Sequence, residues 1–191
     1  MKGESAVKPS RRDKVKRGGR GVLTVYGDGL YCHEVEAGAC GYVVCRDQEV
    51  ILQGNRYLVG RWTAGLAECA ALIKALRAAL AAGLRGECLE ARSDSLSLVN
   101  QLRGEHRIRS PRLESLVEAT RALAGRFRDH AFTWVPRADN GEAHRLARLA
   151  LARGRAGGEE RRDASLSLDE MMWRAVFAEW CHGYPRQSLV S

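Results

Sequence analysis

Val25-Tyr26-Gly27-Asp28-Gly29 is the stretch on which the reading of this chain turns. An apolar run over residues 22–26 leads into one acid held between two glycines. Two more acids stand in comparable settings, Glu68 in Leu66-Ala67-Glu68-Cys69-Ala70-Ala71-Leu72 and Asp94 in Ala91-Arg92-Ser93-Asp94-Ser95. Each is weak evidence alone, because Asp-Gly after a strand commonly makes a turn and a lone helical Glu commonly faces water. Glu68 is harder to dismiss. Its neighbours are small or apolar, so it lies near a buried stripe, where an unpaired carboxylate is costly. Acids at two strand ends and a helix start can converge. Three such acids could share two Mg²⁺ ions, which orient a water and stabilise the leaving oxygen in phosphodiester cleavage. Magnesium takes a few carboxylates plus water and substrate phosphate in preference to a full protein cage, so such a site is complete only with nucleic acid bound.

Working outward, residues 22–26, 41–45 and 49–57 are rich in strand formers, separated by Gly- or Asp-containing turns, and read as an antiparallel meander. Thr63 is the expected N-cap of a helix with Leu66, Cys69, Ala70, Leu72, Ile73, Leu76, Ala79 and Leu80 at helical spacing, stopped at Gly83. A strand over 88–93 leads into a helix near 95–102. Ser110-Pro111 opens a third helix whose apolar face is interrupted by Thr120. A last strand over 131–135 ends at Pro136, and Asn140 is expected to cap a final helix. The order β-β-β-α-β-α-α-β-α implies an α/β fold, with a five-stranded mixed sheet of three antiparallel strands plus two parallel ones, flanked by helices.

The chain has 191 residues and a net charge of +8, enough for one domain plus tails. Residues 1–20 carry eight basic side chains against two acidic ones. They have no periodic apolar pattern and read as a disordered basic tail suited to the phosphate backbone of a nucleic acid. The folded domain is expected over 21–153, followed by a Gly- and charge-rich linker over 154–166. An amphipathic helix over 167–183 with Trp173, Phe177 and Trp180, opened by the capping box Ser167-Leu168-Asp169-Glu170, precedes a tail over 184–191. That helix either packs back on its own domain or binds a protein partner. Six cysteines show no zinc-type spacing. Reduced thiols suit a cytoplasmic protein, and no run approaches membrane-spanning length.

In order and spacing, these motifs resemble type 1 ribonuclease H. Tyr26-Gly27-Asp28-Gly29 is similar to the family's first-strand signature, and Gly38…Gly41 followed by Tyr-Val-Val to its second strand. Thr63…Ala67-Glu68…Ala71-Leu72-Ile73 resembles the first-helix motif. Asp94-Ser95…Leu98-Val99-Asn100-Gln101-Leu102…Gly104 resembles the third acidic motif. Trp134-Val135-Pro136-Arg137…Asn140…Ala143…Leu146-Ala147 resembles the C-terminal motif. The closest variant is the compact archaeal, bacterial and plant form without a basic protrusion.

The resemblance implies a nuclease that hydrolyses the RNA strand of RNA/DNA hybrids with two Mg²⁺ or Mn²⁺ ions. Asp28, Glu68 and Asp94 would be its catalytic, metal-binding acids. The family's fourth acid falls on His144, which the resemblance makes a fourth catalytic and metal-binding position. Imidazole is a poor Mg²⁺ ligand, suits Mn²⁺ better, and brings no negative charge. Three readings of His144 stand: a ligand with shifted metal preference, the mark of a weakened site, or a surface helix residue. Nucleic-acid contacts would fall on Gly29, Glu68, Ser95, Arg137 and Asn140, with helix capping the alternative role of Ser95 and Asn140. A non-catalytic module that binds hybrid or double-stranded nucleic acid is the competing reading, and an interaction protein acting through its C-terminal helix is the third.

Overall fold

β1 (Val22–Cys32) is the central strand of the five-stranded sheet, and the alternation of its apolar residues buries Leu23 and Val25 wholly on one face. The computed structural model describes residues 21–156. The expected basic tail, the 167–183 helix, the terminal tail and most of the expected linker lie outside the described residues. β2 (Ala37–Arg46) and β3 (Glu49–Val59) complete an antiparallel meander, with Asp28 opposite Gly41. β4 (Cys88–Ser93) and β5 (Asp129–Trp134) add in parallel on the other side of β1, giving the order β3-β2-β1-β4-β5.

Helix α1 (Ala64–Ala81) starts where Thr63 accepts a hydrogen bond from Leu66 N at 3.3 Å, and it stops before Gly83, which has a φ of +79°. The expected apolar stripe is buried throughout. α2 (Leu96–Arg103) is capped by Ser95 and α3 (Pro111–Ala124) by Ser110. Thr120, the interruption in the α3 stripe, is wholly buried. Its hydroxyl donates to Leu116 O at 2.8 Å and lies 3.4 Å from Cys69 Sγ on α1, so a polar atom in the core is satisfied. Cys69 is itself buried, which pushes its thiol up to about 12. α1, α2 and α3 share the main core, whereas Leu146 of α4 (Gly141–Ala156) packs with Val43, Cys45 and Tyr26 in a separate small cluster.

Two expectations need correction. Gly27-Asp28-Gly29 is not a turn after a short strand but the middle of an eleven-residue one. The glycines are there because α1 crosses that spot: a Cβ on Gly29 would lie 2.1 Å from Ala67 C and Glu68 N. Gly41 plays the same part for α4, where a Cβ would lie 2.3 Å from Ala143 O. The domain also runs past residue 153. α4 continues through Ala156, with Gly154 seated against the Tyr57 ring and Arg155 reaching Glu34 at 3.4 Å.

Candidate active site

The pairing of β1 with β4 ends at Tyr26 and Arg92. Beyond that point the chain has gone one way from β1, to β2 and β3, and has crossed back to β4 on the other side. A crevice opens at such a switch in an open α/β sheet. Asp28 sits on β1 just past the last pair, Asp94 just past the end of β4, and Glu68 on α1 over Gly29. Asp28 feels the charge of Asp94, and Glu68 feels the charges of both.

Asp28 is only 4 % exposed. Burial raises its pKa, the Asp94 carboxylate adds to that, and the His144 hydrogen bond and Arg137 charge pull the other way. Glu68 is also raised, first by burial and then by the charges of Asp28 and Asp94, against the lowering effect of a hydrogen bond from Ser95. The Ser95 side chain therefore serves twice, since it also accepts from Leu98 N at 3.4 Å as the α2 cap.

Asp94 is gripped from several sides. Asn140 Nδ2 donates to Asp94 Oδ1 at 2.7 Å and to Gly27 O at 3.1 Å. The half-exposed Trp134 donates its indole N–H to Asp94 O at 3.1 Å. Val135 N donates to Ser93 O, which carries the β4–β5 pairing one step further. Trp134 and its tie to Asp94 had no signal in the sequence beyond its place in the C-terminal motif.

His144, on the first turn of α4, points Nδ1 at Asp28 Oδ2, 2.7 Å away. Arg137, from the 3₁₀ turn before α4, places Nη2 3.2 Å from His144 Nε2 and 3.3 Å from Nδ1. Glu142 is spent on Arg145 at 2.7 Å, so it does not supply the charge a fourth acid would bring.

Two of the expected nucleic-acid contacts are buried. Gly29 is buried beneath α1, and Asn140 is 1 % exposed with its amide turned inward. Neither offers a surface to a duplex in this conformation. Asn140 does not cap α4 either, because its Oδ1 has no protein partner. Ser95 and Glu68 are half-buried and Arg137 is exposed.

In kind, the donors fit a hard divalent ion: neighbouring carboxylate charge and burial raise Asp28 and Glu68, and a cation beside the three acids would relieve that repulsion. Among the described residues no three Asp, Glu, His or Cys side chains enclose an ion by themselves. Asp28 is turned to His144, Asp94 to Asn140 and Glu68 to Ser95. Loading would require these contacts to loosen. Also among the described residues, no helix is long and apolar enough to cross a membrane, and the five cysteines form no disulfide.

The sequence pattern of the family described as reverse transcriptase-like matches residues 27–150. Ribonuclease HI of Halobacterium salinarum is 37 % identical over 136 residues, covering 71 % of this chain and 66 % of that protein. The crystal structure of RNase H1 from the same organism superposes with a TM-score of 0.63 at 34 % identity, covering 69 % of this chain and 98 % of the other. The bifunctional protein Rv2228c of Mycobacterium tuberculosis is 34 % identical over 117 residues, which is 60 % of this chain but 32 % of that longer protein. LC11-RNase H1, solved in complex with an RNA/DNA hybrid, shares the fold at a TM-score of 0.64 and 24 % identity, covering 69 % of this chain and 98 % of that one. By strand order, by the setting of its three acids and by these likenesses, the chain belongs to the reverse transcriptase-like family and is an RNase H-like protein of type 1.

Proposed function

We propose that the chain is an endoribonuclease that hydrolyses the RNA strand of RNA/DNA hybrids. The observation that carries this reading is the gathering of Asp28, Glu68 and Asp94 from three separate elements where β1 and β4 part, close enough that neighbouring carboxylate charge raises Asp28 and Glu68. Buried or half-buried acids without a basic counterweight of equal charge are costly to keep for stability alone. Their retention fits a site built for cations.

Asp28, Glu68 and Asp94 would hold Mg²⁺ or Mn²⁺. When bound, the ions would supply an activated water and stabilise charge on the leaving oxygen. The protein's own share is positioning. Glu68, half-buried and steadied by Ser95, can accept a hydrogen bond from a ribose 2′-hydroxyl, the group that distinguishes an RNA strand from DNA. Arg137 is exposed beside the acids and suits a phosphate of the bound strand. The basic residues of the first twenty add a grip without sequence preference. The hybrid is chosen as substrate because LC11-RNase H1, a protein of the same fold, carries one in its crystal.

A second reading is a module that binds the hybrid with little cleavage. It is favoured by His144, which stands in place of a fourth acid and is already tied to Asp28 and Arg137. A labelled hybrid incubated with Mg²⁺ and then Mn²⁺ separates the two. Cleavage leaving 5′-phosphate and 3′-hydroxyl ends supports the nuclease. Tight binding with no cleavage in either metal supports the module.

A further inference from the structure

Asn140 is an uncharged polar side chain at the site that is only 1 % exposed. It lies at the end of the 3₁₀ turn before α4, yet its amide reaches 113 positions back to Gly27 O and 46 positions back to the Asp94 carboxylate. Gly27 is the residue after the last β1–β4 pair, so its carbonyl is where that ladder stops. Asp94 is the residue after the end of β4. One amide nitrogen thus spans the gap that the two separating strands leave between them.

We propose that Asn140 is a positioning residue. Its amide fixes the Asp94 carboxylate relative to the β1 backbone beside Asp28, and it touches neither substrate nor ion. This rests on the nuclease reading for its consequence in catalysis, but not for its geometry.

Three observations support it. A primary amide offers two N–H donors on one nitrogen, and both acceptors here lie within hydrogen-bond range. A carboxylate at this position would have no such hydrogen atoms and would face Asp94 with like charge. The Asn140 Oδ1 is buried without a protein partner. Leaving a buried acceptor unmet is costly, so packing alone would favour an apolar residue, and the donor side explains why an amide is kept. Finally, 1 % exposure leaves it no surface for a duplex. By contrast, Ser95 and Arg137 remain accessible.

Holding only Asp94 Oδ1 in this way fixes the direction of the second carboxylate oxygen. Residues that orient metal ligands from behind typically change affinity or rate by about 10–100-fold when altered.

The test uses the full chain and the variants Asn140→Ala and Asn140→Asp, each checked for folding by circular dichroism and melting temperature. Crystal structures of the variants are expected to show the Asp94 carboxylate turned away from its wild-type position. With a labelled RNA/DNA hybrid, kcat is expected to fall by roughly 10–100-fold. KM and hybrid affinity without divalent metal should stay within about twofold, the split expected for a group that acts only on the chemical step. An Asp94 carboxylate that keeps its place in both variants would overturn the proposal. So would a loss of hybrid affinity as large as the loss of kcat, which would make Asn140 a contact residue.

A measurement on the wild-type protein covers the case in which neither variant folds. The two side-chain amide protons of Asn140 should exchange slowly with solvent, and exchange as fast as a free amide would sink the idea. A wild-type chain that cleaves no hybrid would remove the nuclease reading. The Asp94 position and the amide exchange would still decide the clamp.

Discussion

His144 Nδ1 lies 2.7 Å from Asp28 Oδ2, a contact made across 116 positions of the chain. An ionised carboxylate can only accept, so with Asp28 charged the imidazole donates through Nδ1. Arg137 Nη2 lies 3.2 Å from Nε2 and 3.3 Å from Nδ1, nearly equidistant from both and so over the ring. An ion approaching the imidazole would meet that guanidinium. Removing the guanidinium takes away a positive charge that would repel a cation. Arg137→Ala is therefore expected to tighten Mn²⁺ binding by the free protein, by roughly 10-fold, while weakening hybrid affinity. Calorimetric titration with Mn²⁺ checks it, and an unchanged affinity would mean that the Arg137 charge does not oppose metal binding.

Replacing the imidazole by a carboxylate restores the charge that the fourth position lacks. His144→Asp is expected to raise Mg²⁺-supported cleavage by about 10-fold or more, because Mg²⁺ favours oxygen over imidazole nitrogen. The gain should be smaller in Mn²⁺. Initial rates on a labelled hybrid in each metal give the comparison. Equal or lower activity in Mg²⁺ would mean that the missing charge at this position does not limit the reaction.

Burial and neighbouring charge raise Asp28 and Glu68 above their ordinary values in the folded chain. A carboxyl whose folded pKa lies above its unfolded one binds more protons when folded. Its contribution to stability is then greatest below the unfolded value, near 3.8 for Asp28 and 4.5 for Glu68, and is lost as pH rises through the folded value. At neutral pH the free protein carries this strain in full. Asp28→Asn should raise the melting temperature at pH 7 in the absence of metal and flatten its fall with pH. The same substitution should abolish cleavage. Added Mn²⁺ should stabilise the wild-type protein more than the variant, because only a ligand that prefers the folded state shifts the melt. A lower melting temperature for Asp28→Asn would contradict the electrostatic picture.

The sequence expressed some of this plainly and hid the rest, for reasons that particular residues explain. Thr63, Ser95 and Ser110 announce helix starts because capping is local, decided within three positions. The α1 stripe is equally legible, because periodicity needs only its own segment. Gly27-Asp28-Gly29 is misread as a turn because its glycines answer to α1, whose backbone arrives forty residues later. Asn140 is misread as a cap for the same reason. An Asn before a helix has a local use, while its actual partners lie 46 and 113 positions away. Of the site, the acids were legible as types in a pattern. The Arg137–His144–Asp28 contacts and the Trp134 bond were not, since they depend on how separate elements meet.

The first twenty residues lie outside the described structure, but their charge has a measurable consequence. Each phosphate neutralised by a basic side chain contributes about −0.9 to the slope of log affinity against log salt. Deleting residues 1–20 removes eight basic side chains. Hybrid affinity at low salt should fall and the slope should become shallower by several units. A slope that does not change would mean that the tail makes no phosphate contact.

Gly29→Ala tests whether the fold and the site share one constraint. A Cβ at position 29 would meet Ala67 C and Glu68 N at 2.1 Å, and these are backbone atoms that no side-chain rotation can clear. α1 must move off the sheet or β1 must bend. Overpacking of a tight core costs about 1–3 kcal/mol, occasionally more, and the upper end is expected here because the obstruction is main chain. The displaced segment is the one that carries Glu68, so the damage should not be confined to stability. At a temperature where the variant is fully folded, its cleavage rate should still fall, because a shift of about 1 Å in a catalytic group can cost 10²-fold. Gly83→Ala supplies the control. It sits at a positive φ with open space around its Cβ position, beyond the C-terminal end of α1 and so remote from Glu68 in the first turns. It should lose stability through backbone strain yet keep its rate when folded. Equal rates for the folded Gly29→Ala and wild-type proteins would separate the helix approach from the placement of Glu68.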